Sequence, residues 1–498
     1  PGTLNLGYNL RQYLPTRRPG FKVVIMKTRR DFLKSAGFVS AGFLGLQRLS
    51  LAHGTATGKG TSVSTQLPMK QVTGYGSLVA DPGKIFDLPP GFSYQVIATQ
   101  GETLNDGFLL PGDPDGMAAF GTADGRVALI CNHELNADET EKGPFGADNS
   151  LLSKRSARTI YDRGRGQAPH QGGTSTLIYD PKTGNKDLHY LSLTGTDRNC
   201  AGGPTPWNSW ITCEETNTKA GEIFEQDHGY NFEVPAHTHI THVDAVPLKA
   251  MGRFRHEAIA VEPRSGIVYQ TEDMHDGLIY RFIPNQKGKL QLGGKLQALV
   301  IREQPSRDTR NWKTLKEEPF PVAELFETTW VDIEEVESPD DTLRYQGFEK
   351  GAARFARGEG MWYGNGEIYF ACTNGGYIEQ GQVFRYLPSP YEGTSREADF
   401  PGRLELFVES SNPDILKNCD NLTVAPNGHL LLCEDSDQPC KLIGITPEGA
   451  FYEFGSNRYT DSELAGACFS PDGNTLFLNI QKNGQTLAIT GPWEQFQA

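Results

Sequence analysis

Asp124-Gly125-Arg126-Val127-Ala128-Leu129-Ile130-Cys131-Asn132-His133-Glu134 begins on a turn dipeptide, runs through an apolar strand and ends on polar and acidic side chains. The same pattern returns at 210–215, 266–273, 366–374, 428–435 and 473–479. Turn dipeptides that feed short apolar strands are hairpin signals. Six copies predict an all-β fold, a six-bladed β-propeller with long inter-strand insertions, because radial repetition protects most sheet edges.

A second short strand with a polar opening residue precedes each copy: Asp115-Gly116-Met117, Cys200-Ala201-Gly202, Glu257-Ala258-Ile259, Glu359-Gly360-Met361, Asp420-Asn421-Leu422 and a neutral Ala465-Gly466-Ala467. From Cys200 to Glu215, Glu257 to Glu272, Glu359 to Asn374 and Asp420 to Asp435 the separation is 15 residues each time. A chain that goes out and back over that distance returns to the same end of a hairpin. With the first strand innermost, Cys200, Glu257, Glu359 and Asp420 converge on the mouth of a central channel, and Glu215, Glu272 and Asp435 lie at the paired ends.

Carboxylates and a thiolate crowded together repel or take up protons unless cations hold them. Carboxylate oxygens suit hard ions such as Ca²⁺ and Fe³⁺, and the sulfur of Cys200 adds a preference for a transition metal. Glu257 follows His256, and Glu359 follows Arg357, whose planar fork of donors suits a phosphate oxygen. Cys131, Cys213, Cys372 and Cys433 read as core residues. No Cys-x-x-Cys pair occurs, and Cys433 with Cys440 is the nearest candidate for a disulfide. His237, His239 and His242 fall between repeats and read as loop histidines.

The chain has 498 residues, 37% hydrophobic and 22% charged, with 56 Gly and 31 Pro, a turn-rich globular balance that excludes collagen, coiled coil and wholesale disorder. Segment 1–52 holds nine of the 47 basic and one of the 61 acidic residues, which leaves 38 against 60 in the remainder. That remainder has no basic footprint for a nucleic acid. Motifs for nucleotide loops, zinc proteases and serine hydrolases are missing from the sequence.

Thr28-Arg29-Arg30-Asp31-Phe32-Leu33-Lys34, an apolar run at 35–46 and Ser50-Leu51-Ala52 read as a twin-arginine signal with its cleavage site. The apolar run is shorter than the roughly 20 residues of a membrane span. The expectation is passage through the twin-arginine machinery to the periplasm or beyond, no stable membrane insertion, and a mature start near His53. Residues 1–25 carry no coherent pattern and read as an overextended start. The remaining boundaries are an N-terminal extension at 53–83 and the propeller at 84–498, with a strand in 84–99 pairing with 485–490 to close the ring. Spread over six repeats, the chain after residue 52 gives about 74 residues each, above the roughly 40–50 of compact repeats. The charged segment 284–348 is the largest expected insertion.

Asn199-Cys200-Ala201-Gly202-Gly203-Pro204-Thr205-Pro206-Trp207, closing with Thr212-Cys213-Glu214-Glu215, resembles the PhoX family of secreted alkaline phosphatases. Leu88-Pro89-Pro90-Gly91-Phe92, Asn132-His133-Glu134, Gly252-Arg253-Phe254-Arg255-His256-Glu257 and Asp420-Asn421-Leu422 extend the likeness. The resemblance implies hydrolysis of small phosphate esters in a propeller channel that holds ferric iron and calcium. It implies Cys200, Glu257 and Glu359 as iron ligands and Arg357 as the phosphate-binding residue. Glu215, Asp420 and Asp435 fall in the calcium shell, and the repeat adds Glu272. Two other activities fit such a ring: a calcium-stabilised binding module without catalysis, and a hydrolase of lactones or phosphotriesters.

Overall fold

A computed structural model describes residues 68–498, so the twin-arginine segment and the cleavage site lie outside the described residues. β1 (Ser93–Thr99) precedes β2 (Pro114–Gly121), β3 (Val127–His133), β4 (Gly172–Asp180) and β5 (Asn185–Thr196). Three strands follow, β6 (Asn199–Pro204), β7 (Ser209–Glu214) and β8 (Asn231–Pro235). Next come β9 (His256–Val261), β10 (Val268–Glu272), β11 (Ile279–Pro284), β12 (Gly294–Ile301) and β13 (Leu325–Asp332). β14 (Gly358–Gly364), β15 (Glu367–Cys372), β16 (Gln382–Leu387) and β17 (Arg403–Glu409) lead to β18 (Cys419–Val424), β19 (Leu430–Glu434), β20 (Cys440–Ile445) and β21 (Phe451–Asn457). The last three are β22 (Leu464–Phe469), β23 (Thr475–Ile480) and β24 (Gln485–Thr490).

Hydrogen bonding divides the strands into four small sheets, β2–β5, β6–β8, β18–β21 and β22–β24 with β1, plus one sheet of nine. Six separate blades are therefore not what the hydrogen bonds show. The 284–348 insertion supplies the reason. Its β13 pairs through its C-terminal half with β12 and through Leu325, Phe326 and Glu327 with β17, so β9–β12 and β14–β17 become continuous. The arrangement is still propeller-like. β2 packs on β6, β6 on β9, β9 on β14, β14 on β18, β18 on β22, and β22 back on β2.

These inner strands approach closely because small residues stand where they meet. A Cβ on Gly116 would lie 2.6 Å from Cα of Ala201, and one on Gly360 would lie 2.7 Å from Cα of Asn421. Strand β3 is buried along its whole length, which is why Val127–Cys131 reads as a continuous apolar run rather than strict alternation. Between sheets, Leu129, Leu177, Phe477 and Ala488 fill one interface and Leu431, Leu442, Leu476 and Leu487 another. Each of these leucine and phenylalanine side chains contributes about 1.5–3 kcal/mol on full burial. β1 pairs antiparallel with β24, Ser93 opposite Thr490, so a strand from each end of the described chain closes the last sheet as expected. All eight cysteines are buried and free, so Cys433 and Cys440 are not joined.

Candidate metal centre

One local motif recurs six times and builds the site. Each first strand carries a register shift at its opening, between Pro114 and Met117, Asn199 and Gly202, His256 and Ile259, Gly358 and Met361, Cys419 and Leu422, and Ala465 and Cys468. Such bulges re-aim side chains. Beside each one, the first residue after the second strand donates its N–H to a carbonyl just ahead of the first. Glu134 reaches Asp113 at 2.9 Å, Glu215 reaches Arg198 at 3.0 Å, Asp273 reaches Arg255 at 3.1 Å, Thr373 reaches Arg357 at 3.1 Å, Asp435 reaches Asn418 at 2.9 Å and Gln481 reaches Glu463 at 3.3 Å.

Asp115, Cys200, Glu257, Glu359 and Asp420 occupy the bulges and come together. Four overlapping groups have their ligand atoms within 4.8 Å of one another: Asp115–Glu134–Cys200, Cys200–Glu215–Glu257, Glu257–Glu359–Asp420 and Asp420–Asp435–Glu463. The Cys200 Sγ lies 3.9 Å from Oδ2 of Asp115. Among the described residues neither carboxylate oxygen of buried Glu257 has a hydrogen-bond partner. An ionised carboxylate in that state is costly unless a cation accepts it. Burial, then the carboxylates of Glu359, Asp420, Glu215 and Asp115, pushes Glu257 well above the carboxylate range. Burial and the neighbouring Asp435 push Asp420 up to about 7, and burial with Asp115 and Glu257 raises the Cys200 thiol. This donor set, oxygen-rich with one sulfur, fits bound metal ions.

Above the acids sit three arginines in equivalent positions of consecutive repeats. Arg198, Arg255 and Arg357 have side chains 31%, 33% and 32% exposed. The carboxylates of Glu215, Asp273 and Glu359 beneath them are 6%, 7% and 5% exposed. Arg198 pairs with Glu134 at 2.7 Å and Glu215 at 2.6 Å, and Arg255 with Glu215 at 3.2 Å. Arg357 pairs with Asp273 and Glu359. The mouth is thus a cationic rim over a buried anionic floor.

Of the residues expected from the repeat, Cys200, Glu215, Glu257, Glu359, Asp420 and Asp435 meet on this floor, with Arg357 at its rim. Glu272 does not join them: its Oε2 accepts from the Tyr280 hydroxyl at 2.9 Å and from Leu278 N at 3.1 Å, and Arg344 approaches Oε1 at 3.4 Å. Here the hairpin is one residue longer. His256 pairs with Glu272, so Asp273 takes the place that Glu215 and Asp435 hold elsewhere. Asp115, Glu134, Asp273, Glu463, Arg198 and Arg255 were not singled out from the sequence, although Asp115 opens its repeat as the others do. His237, His239 and His242 belong to none of these groups.

The profile of alkaline phosphatase PhoX matches residues 73–484, nearly the whole of the described chain. The chain belongs to the PhoX alkaline phosphatase family. It is accordingly a phosphatase, a hydrolase of phosphate esters, as the Cys200 segment predicted. Among solved structures, Pseudomonas fluorescens PhoX in complex with vanadate, a transition-state analogue, is 18% identical; the match covers 86% of this chain and 97% of that one at a TM-score of 0.59, and shares the fold. A gluconolactonase from Xanthomonas campestris is 12% identical, over 84% of this chain and 100% of that one, at a TM-score of 0.37. No curated protein matches the sequence.

Proposed function

We propose that this PhoX-family phosphatase works at the axis of a six-bladed ring, with the nine-stranded sheet counted as two fused blades. Fe³⁺ is held by Cys200, Glu257 and Glu359, and Ca²⁺ by Glu215, Asp420 and Asp435, with Asp115, Glu134 and Glu463 as further oxygen donors. The observation that carries the reading is the carboxylate of Glu257, buried, unpartnered on both oxygens and shared between two of the four donor groups. When bound, such ions supply Lewis-acid polarisation of the phosphoryl group.

The protein's own contribution is orientation and charge. Arg357 meets the phosphoryl oxygens from the rim and neutralises charge as it develops, in a mouth whose floor excludes bulk water. Asp273 fixes the plane of the Arg357 guanidinium. Binding of vanadate by the Pseudomonas relative is in keeping with a phosphoryl site. Export through the twin-arginine machinery to the periplasm or beyond rests on residues 28–52, and no described helix is long and apolar enough to cross a membrane.

The test is Cys200→Ala, assayed for iron and for hydrolysis of p-nitrophenyl phosphate. Joint loss of iron and activity is the expected result; full retention of both overturns the assignment. Protein carrying calcium without iron, and fully active on that ester, likewise overturns it.

A further inference from the structure

Away from the axis, a second group of donors lies between the insertions that precede β4 and β8. Asp162, His170 and His228 bring their ligand atoms within 4.8 Å of one another. All three are buried, Asp162 and His228 with no exposure. The Nε2 of His228 stands 3.4 Å from Oδ2 of Asp162. That matches the edge of a tetrahedron about 3.4 Å long that zinc–ligand bonds of about 2.0–2.1 Å define.

Both imidazoles are oriented from behind. Glu214 Oε1 lies 2.7 Å from Nδ1 of His228, and Asp197 Oδ1 lies 3.0 Å from Nδ1 of His170. A ligating histidine ordinarily donates its other ring N–H to a carboxylate, as His228 does to Glu214, whereas His170 stands beside Asp197 at ion-pair distance without a hydrogen bond. The Asp162 carboxylate is held by the N–H groups of Gly164, Glu225 and Gln226. An ion pair between a charged His228 and its two carboxylates accounts for His228. It does not account for His170, neither of whose ring nitrogens has a hydrogen-bond partner among the described residues although the ring is buried.

We propose that Asp162, His170 and His228 bind one Zn²⁺, with a water in the fourth position, separate from the axial centre. Two imidazoles and one carboxylate favour a zinc-type ion over calcium, and the burial leaves no route for substrate. The ion ties the 134–171 and 215–230 segments together beside β7. Glu214 and Glu215 are neighbours that serve different sites because successive strand residues face opposite ways.

The full chain is dialysed against Zn²⁺ and then buffer, and zinc per chain is measured in wild type, in His170→Gln, in His228→Gln and in the axial variant Glu257→Gln. One equivalent retained in wild type and Glu257→Gln but lost from both histidine variants is expected. Zinc retained by the histidine variants, or lost from Glu257→Gln alone, overturns the proposal. A readout that needs no histidine variant is the melting temperature of Glu257→Gln, in which the axial donor set is impaired. A rise of several degrees on adding Zn²⁺ supports the site, and no rise contradicts it.

Discussion

Arg357 grips Asp273 with both arms of its guanidinium, Nε to Oδ1 at 2.7 Å and Nη2 to Oδ2 at 3.0 Å, while Nη2 also stands 3.0 Å from Oε1 of Glu359. Burial opposes charge on Asp273, yet the Arg357 fork holds its carboxyl below the ordinary range. A bidentate pair fixes the plane of the guanidinium as well as its position. Asp273→Asn is therefore expected to lower kcat/KM on p-nitrophenyl phosphate on the order of tenfold or more. Glu272→Gln, one residue away but facing Arg344 and Tyr280, is expected to leave kinetics near wild type and lower the melting temperature. Steady-state kinetics and thermal unfolding of the two variants, side by side, check the register.

Arg198 and Arg255 share the rim with Arg357. Each is expected to help retain the phosphoryl group, so Arg198→Ala and Arg255→Ala should raise KM several-fold with a smaller effect on kcat. Iron content is expected to stay at the wild-type level in both. Unchanged KM in both variants removes them from the substrate path.

Gly360 lies where β14 meets β18. An added methyl group would sit 2.7 Å from Cα of Asn421, against backbone that has no freedom to rotate away. Gly360→Ala is expected to destabilise the ring by about 1–3 kcal/mol through overpacking. Denaturant unfolding measures this, and a wild-type midpoint contradicts the close approach.

Metal removal is expected to make stability depend on pH. Burial, with neighbouring carboxylates second, raises Glu257 and Glu359 well above the carboxylate range. A folded-state value above the unfolded one means that the folded chain binds more protons, so stability falls as pH climbs past the unfolded value. Chelated protein should thus melt several degrees lower at about pH 8.5 than at about pH 6, with a much flatter profile when metal is bound. Parallel profiles with and without chelator would contradict the cation-held ring.

The sequence carried the ring and most of its floor because both depend on local, repeated signals. Openers such as Cys200 and Asp420 stand at a fixed place ahead of an apolar strand, and their partners Glu215 and Asp435 follow 15 residues on. The register failed where hairpins differ in length. Glu257 has its partner one residue later, at Asp273, and Glu359 one residue earlier, at Thr373, and a one-residue slip turns a side chain to the other face. Glu134 escaped because its hairpin is longer still, 19 residues from Asp115. The continuity of β9–β12 with β14–β17 through β13 rests on long-range pairing between 325–327 and 403–405, which no local pattern announces. The arginine rim was legible only at Arg357, since the equivalence of Arg198 and Arg255 emerges from backbone hydrogen bonds.

The most direct test of the axial centre is a crystal of the metal-loaded protein measured on both sides of the iron absorption edge. An anomalous iron peak is expected on the axis within about 2.3–2.6 Å of the Cys200 sulfur and within about 2.0–2.3 Å of a Glu257 oxygen. An axis without iron, with Cys200 and Glu257 directed to different surroundings in an active enzyme, would contradict it.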